Sequence, residues 1–144
     1  MPVFNLEEQE QIGKAIAAAE HQTSGQIRVC VEERCTDEAL VRATKYFHQL
    51  DMHQTKLRNG VLIYLATGDR KFAIIGDAGI DKVVPDDFWD STKEDMLNHF
   101  KQGELVNGIV EGVSKAGEQL KKYFPYATGG TNELPDDIAF MNGD

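Results

Sequence analysis

The amino-acid sequence predicts an α/β domain in which a mixed, mainly parallel central sheet is covered by helices on both faces. Three observations carry this. The uninterrupted apolar run "VLIYLA" (61–66) has the pattern of a strand buried on both faces. A strand-like alternation at 26–33 leads to it through a helical segment, the kind of crossover that joins parallel strands with a right-handed turn. Only "TGDR" (67–70) separates 61–66 from the next strand-like run, so that pair is antiparallel.

The elements follow in order. Residues 6–21 place Ile12, Ala15, Ile16 and Ala19 at helical spacing, with acids in the first turn. "TSG" (23–25) breaks that helix, and "QIRVCVEE" (26–33) sets Ile27, Val29 and Val31 on one face of a strand. Residues 35–50 read as a second helix, with Thr36 as N-cap and Leu40, Ala43, Phe47 and Leu50 as its buried stripe. A polar loop (51–60) ends in Asn59-Gly60 before the 61–66 strand, and "KFAIIG" (71–76) is the third strand. Two more helices follow. Trp89, Met96, Leu97 and Phe100 stripe the first, and Leu105, Ile109, Val113, Ala116 and Leu120 stripe the second. The expected organisation is one domain over 1–124 and a polar Gly/Pro-containing tail over 125–144, in which "DIAF" can add a short edge segment.

Composition narrows the function. The 144 residues carry a net charge of −9, against nucleic acid and anionic membranes as partners and in favour of cations and basic proteins. No apolar run approaches the length of a membrane span. The N-terminus lacks the basic region of a secretory signal, so a cytoplasmic location is expected. Cys30 and Cys35 have no metal or redox spacing; Cys30 is expected buried in its strand and Cys35 free beyond it. His21, His48, His53 and His99 form no i, i+4 pair, which gives no zinc motif, and His48 and His53 are expected at the surface. There is no G-x-S-x-G, Walker A or phosphatase C-x₅-R loop, and "GDAGID" lacks the dinucleotide-binding glycines.

The unusual stretch is "FAIIGDAGIDKVVPDDFWD" (72–90), which sets Asp77, Asp81, Asp86, Asp87 and Asp90 around a single lysine, Lys82. The predicted strand directions put Gly76 and Asp77 beside Asn59 and Gly60, with Glu20, Thr23, Ser24 and Gly25 on the same rim and Glu32, Glu33 and Asp69 on the opposite one. Two explanations stand. Asp77 and Asp81, with Asp86 and Asp87 from the helix start, supply the oxygens a hard cation takes. Alternatively, Asp86 or Asp87 caps the helix and the rest is a solvated loop. The EF-hand pattern is absent.

The ordered series "AAAEHQTSGQIRVCVE", "RNGVLIYLATGDRKFAIIGDAGID", "VPDDFWD" and "FKQGELVNGIVEGVSKAGEQL" resembles the TPM-domain family, named from thylakoid-lumen, photosystem II repair and nematode receptor-accessory proteins. The tail "NELPDDIAF" is similar to a short soluble bacterial branch of it. The resemblance implies an α/β/α sandwich and divalent-cation binding, calcium first and Mg²⁺ second, and it brings the label of acid phosphatase. Asp86 matches the family's Asp before the third helix, Asp81 stands where many members have Glu, and Asn59-Gly60 matches the pair before the central strand. Asp77 replaces a common aromatic, which makes this rim more acidic than usual. The resulting expectation is a calcium-binding accessory or interaction domain with Asp77, Asp81, Asp86, Asp87 and Asn59 as ligands and a protein as further partner. The alternative is a metal-assisted hydrolase of phosphomonoesters.

Overall fold

Alternate side chains of the central strands enter two separate apolar layers, and this divides the helices between the two faces of one sheet. The computed structural model describes residues 4–126 and 138–141. Its four strands are β1 (Gln26–Glu32), β2 (Gly60–Ala66), β3 (Lys71–Gly76) and β4 (Ala139–Phe140), in the order β3-β2-β1-β4. β1 and β2 are parallel from Gln26↔Gly60 to Glu32↔Ala66, whereas β2 and β3 are antiparallel from Val61↔Gly76 to Ala66↔Lys71. β4 lies parallel to β1 at Cys30↔Ala139 and Val31↔Phe140, which is the edge segment expected from "DIAF". The rest of the expected tail, residues 127–137 and 142–144, lies outside the described residues.

Helices α1 (Leu6–Glu20), α4 (Asp90–Lys101) and α5 (Leu105–Leu120) cover one face, packing Ile12, Ile16, Met96, Ile109 and Val113 against Ile27, Val29, Ile63 and Leu65. Helix α2 (Ala39–Gln49) and a 3₁₀ turn (Met52–Gln54) cover the other, where Tyr46, Phe47 and Met52 meet Cys30, Leu62 and Tyr64. Every residue of β2 is buried, as its unbroken apolar run requires. Asn5 and Glu8 form a capping box that starts α1.

Three expectations are corrected. Helix α2 begins at Ala39, with Glu38 rather than Thr36 at the N-cap and no side-chain cap bond. Residues 35–38 are instead held by tertiary contacts, Cys35 N donating to Asp69 Oδ2 at 2.7 Å and Arg42 Nε to Asp37 Oδ2 at 3.0 Å. The buried face of α2 is Arg42, Ala43, Tyr46 and Phe47, while Leu40 is exposed. A carboxylate buried beneath the helix needs Arg42 and Tyr46 turned inward, and that need sets its rotation. Helix α4 begins at Asp90 with Trp89 at the N-cap, so neither Asp86 nor Asp87 caps it. Pro85 starts a turn of its own, closed by Phe88 N to Pro85 O at 3.1 Å.

Candidate functional site

The rim formed by the starts of β1 and β2 and the end of β3 is assembled as the strand directions predict. Asp77 N donates to Gly60 O at 2.9 Å and Gln26 N to Asn59 O at 3.2 Å. The side chains that share this rim hold it together. Asn59 is buried and its Nδ2 donates to Ser24 O at 3.3 Å. Glu20 Oε2 accepts from Ile27 N at 3.2 Å, and the Thr23 hydroxyl bonds to Phe124 O. Glu20 thus ties the end of α1 to the start of β1, and Thr23 ties the turn between them to the segment after α5.

Asp77 opens a one-turn helix, α3 (Ala78–Asp81), that the periodicity did not reveal. Its side chain is 6% exposed and receives the Arg58 guanidinium as a fork, Nε to Oδ2 at 2.6 Å and Nη2 to Oδ1 at 2.8 Å. Oδ1 also accepts from Ala78 N at 2.7 Å. Burial acts to raise the Asp77 pKa, but the Arg58 hydrogen bonds, the Ala78 amide and the charges of Arg58 and His53 outweigh it and hold the carboxyl below its ordinary range. The approach of the two loops depends on Gly79, whose N donates to Arg58 O at 2.8 Å. A Cβ there would lie 2.2 Å from Leu57 O and 2.6 Å from Arg58 O, so only glycine fits.

Asp81 differs. Partial desolvation raises its pKa and the charge of Asp77 raises it further, and its carboxylate has no ion-pair partner among the described residues. Asp86 and Asp87 are exposed in the turn after Pro85. Among the described residues, no three His, Cys, Asp or Glu side chains converge as a metal-holding group. The donor chemistry of Asp77, Asp81, Asp86, Asp87 and Asn59 suits a hard cation, but the geometry does not gather it around one point, and Asp77 already holds a guanidinium. On the adjoining loop, the His48 and His53 rings lie 4.8 Å apart, and His53, expected at the surface, buries Nδ1 without a partner among the described residues.

The opposite rim holds a polar network that the sequence reading missed. Glu32, with a side chain 1% exposed, binds Arg42 Nη1 at 3.1 and 3.2 Å and accepts from Tyr46 OH at 2.7 Å and from the Tyr64 hydroxyl. Arg42 also reaches Asp37. Burial raises the Tyr64 pKa, and hydrogen bonds with Cys35 and Glu32 add to it. Cys30 and Cys35 are both free and buried, and burial pushes the Cys30 thiol up to about 12. Strand parity was the available signal: Glu32 shares a face with Cys30, whose register partner is Tyr64.

The TPM domain profile matches residues 2–119. The chain belongs to the TPM-domain family. The NMR structure of BA42 protein from the psychrophilic bacterium Bizionia argentinensis is 46% identical, with 97% of each chain covered and a TM-score of 0.92. Two more distant structures share the fold. One is the N-terminal domain of a P. gingivalis protein, with 18% identity, 85% of this chain and 79% of that one covered, and a TM-score of 0.69. The other is the N-terminal domain of cg2496 protein from Corynebacterium glutamicum, with 12% identity, coverages of 94% and 80%, and a TM-score of 0.63. No curated protein matches. Among the described residues of this TPM domain, no helix is long and apolar enough to cross a membrane.

Proposed function

We propose that this TPM domain is an accessory or interaction domain whose 76–90 rim takes up a divalent cation, calcium before magnesium, and presents it or the loop it orders to a protein partner. The observation that supports this reading is the uncompensated charge at Asp81. Arg58 neutralises Asp77, while Asp81 feels Asp77 and has no counter-ion of its own among the described residues. Asp81, Asp86 and Asp87, which no ion pair among the described residues engages, are the proposed ligands that the ion would have to draw together, whereas Asp77 and Asn59 join only if their present bonds open. Calcium takes six to eight oxygens, so carbonyls and water complete the shell, and affinity falls near that of the weakest protein calcium sites, about 10⁻⁴–10⁻³ M.

The test is a titration of CaCl₂, and separately MgCl₂, into chelator-treated protein, followed by amide chemical shifts. Residues 76–90 shift at millimolar calcium; silence there refutes the reading. Among the described residues, no converging set of carboxylates supports the alternative of phosphomonoester hydrolysis. It is tested by turnover of a generic phosphate ester at acid and neutral pH by the wild type and Asp86→Asn, with no turnover expected.

A further inference from the structure

We propose that Arg58 is the resident cation of this rim, a tethered guanidinium that competes with any free cation for Asp77. This rests on the cation-binding reading above and supplies its regulation. It also accounts for the mismatch between the donor set expected from the sequence and the geometry found, in which both Asp77 oxygens are bonded to Arg58.

The pair is built to form with little search. Arg58 has a left-handed backbone, φ 50°, and its main chain is fastened at both ends of the residue: N donates to Thr55 O at 3.3 Å and O accepts from Gly79 N at 2.8 Å. Gly79 is two residues from Asp77, so the loop carrying the cation and the loop carrying the carboxylate are locked together. Both Asp77 oxygens are used, in the planar two-bond match that a guanidinium makes and an ammonium does not.

The pair is also built to open. The Arg58 side chain is 48% exposed, while that of Asp77 is 6% exposed. The guanidinium can therefore swing into solvent by side-chain rotation alone, with the backbone bonds of Arg58 intact. What it leaves behind is a buried carboxylate at the start of the turn that holds Asp81, four residues on, whose N donates to Asp77 O at 3.1 Å. A third polar group lies in the turn that carries Arg58, whose N donates to Thr55 O. Thr55 is 5% exposed and its hydroxyl has no partner among the described residues. A free divalent ion that took Asp77 and Asp81 together would relieve both carboxylates but would have to displace Arg58. Cation uptake and Arg58 release are then one equilibrium, and the released arginine is a new positive group on the surface.

The experiment compares calcium titrations of wild type, Arg58→Gln, Arg58→Lys and the double variant Arg58→Gln/Asp77→Asn, at matched ionic strength, with amide shifts as readout and circular dichroism to confirm the fold. Arg58→Gln is expected to bind calcium about fivefold more tightly than wild type, the scale of a partly exposed ion pair. Arg58→Lys, which keeps the charge without the fork, falls between them and remains informative if Arg58→Gln does not fold. The double variant loses the gain. Equal affinity in wild type, Arg58→Gln and Arg58→Lys overturns the competition but leaves the cation-binding reading standing. Silence in all four overturns both. Binding by Arg58→Gln with a silent wild type supports the competition and refutes calcium uptake by the native chain.

Discussion

Replacing Arg42 by methionine tests whether the Glu32 network is a buried charge pair on which the fold depends. The Arg42 and Glu32 side chains are 6% and 1% exposed, so the substitution leaves a carboxylate in the interior with two tyrosine hydroxyls and no cation. Removing one partner of such a pair costs about 3–5 kcal/mol. Protonation sets a ceiling. Placing a proton at pH 7 on a carboxylate of ordinary pKa near 4.3 takes about 3.7 kcal/mol, and at pH 5 only about 1 kcal/mol. Arg42→Met should therefore destabilise by roughly 3–4 kcal/mol at pH 7, about 10 °C in Tm for a chain of this size, and by clearly less at pH 5.

Urea unfolding at the two pH values measures this. Glu32→Gln removes the charge instead of its partner, so Arg42→Met should cost less than about 1.5 kcal/mol in that background, a coupling of about 2 kcal/mol. A loss below about 1 kcal/mol at pH 7, or the same loss at both pH values, would show that Glu32 reaches water and that the reasoning is wrong.

Other expectations concern the acidic rim and two glycines. Asp77 is held below its ordinary range, so the stability it contributes is complete above about pH 4 and is lost as pH falls through its folded value; Asp77→Asn should flatten that part of a urea-midpoint profile measured from pH 3 to 7. Asp81 is shifted upward, so its contribution is present below the unfolded value and lost as pH rises through the folded one; Asp81→Asn should stabilise at pH 7, by no more than about 0.5 kcal/mol at this exposed position. Gly79→Ala drives a Cβ into the Leu57 and Arg58 carbonyls and should cost about 1–3 kcal/mol by thermal unfolding. Gly13→Ala, in α1 with nothing within 4 Å of the new Cβ, should gain about 0.5–1 kcal/mol in the same assay.

The fold was legible because its determinants are local. An apolar run with no polar interruption, a four-residue connection and a helical crossover are each read within a few residues, and together they fix the strand directions. Those directions alone place Asp77 beside Asn59 and Gly60, where the structure has it. The partners of the carboxylates were not legible, because they depend on register. Arg58 and Asp77 are 19 residues apart and meet only because Val61 faces Gly76. A reading confined to 72–90 sees five aspartates and one lysine, and so looks for a cation from outside. Arg42 was hidden for a different reason. Choosing the inner face of α2 by hydrophobicity selects Leu40 and Leu50, whereas the buried Glu32 selects Arg42 and Tyr46. A buried charge overrode the apolar stripe, since leaving it unpaired costs more than exposing a leucine.

The two rims answer the same problem in ways that separate structure from function. Each buries a carboxylate and supplies an arginine from another segment. At the Glu32 rim the arginine is nearly as buried as its partner and also donates to the Tyr46 hydroxyl, so opening the pair would strand two charges at once. Such a pair does not exchange, and its role is to fix the seating of α2. At the Asp77 rim the arginine keeps half its side chain in water, so opening strands only the carboxylate, next to Asp81. On the competition proposed above, a cation from solution would stabilise that opened state and not the Glu32 one. The number of aspartates in 72–90 is therefore a weaker guide to binding than the asymmetry of burial across one ion pair.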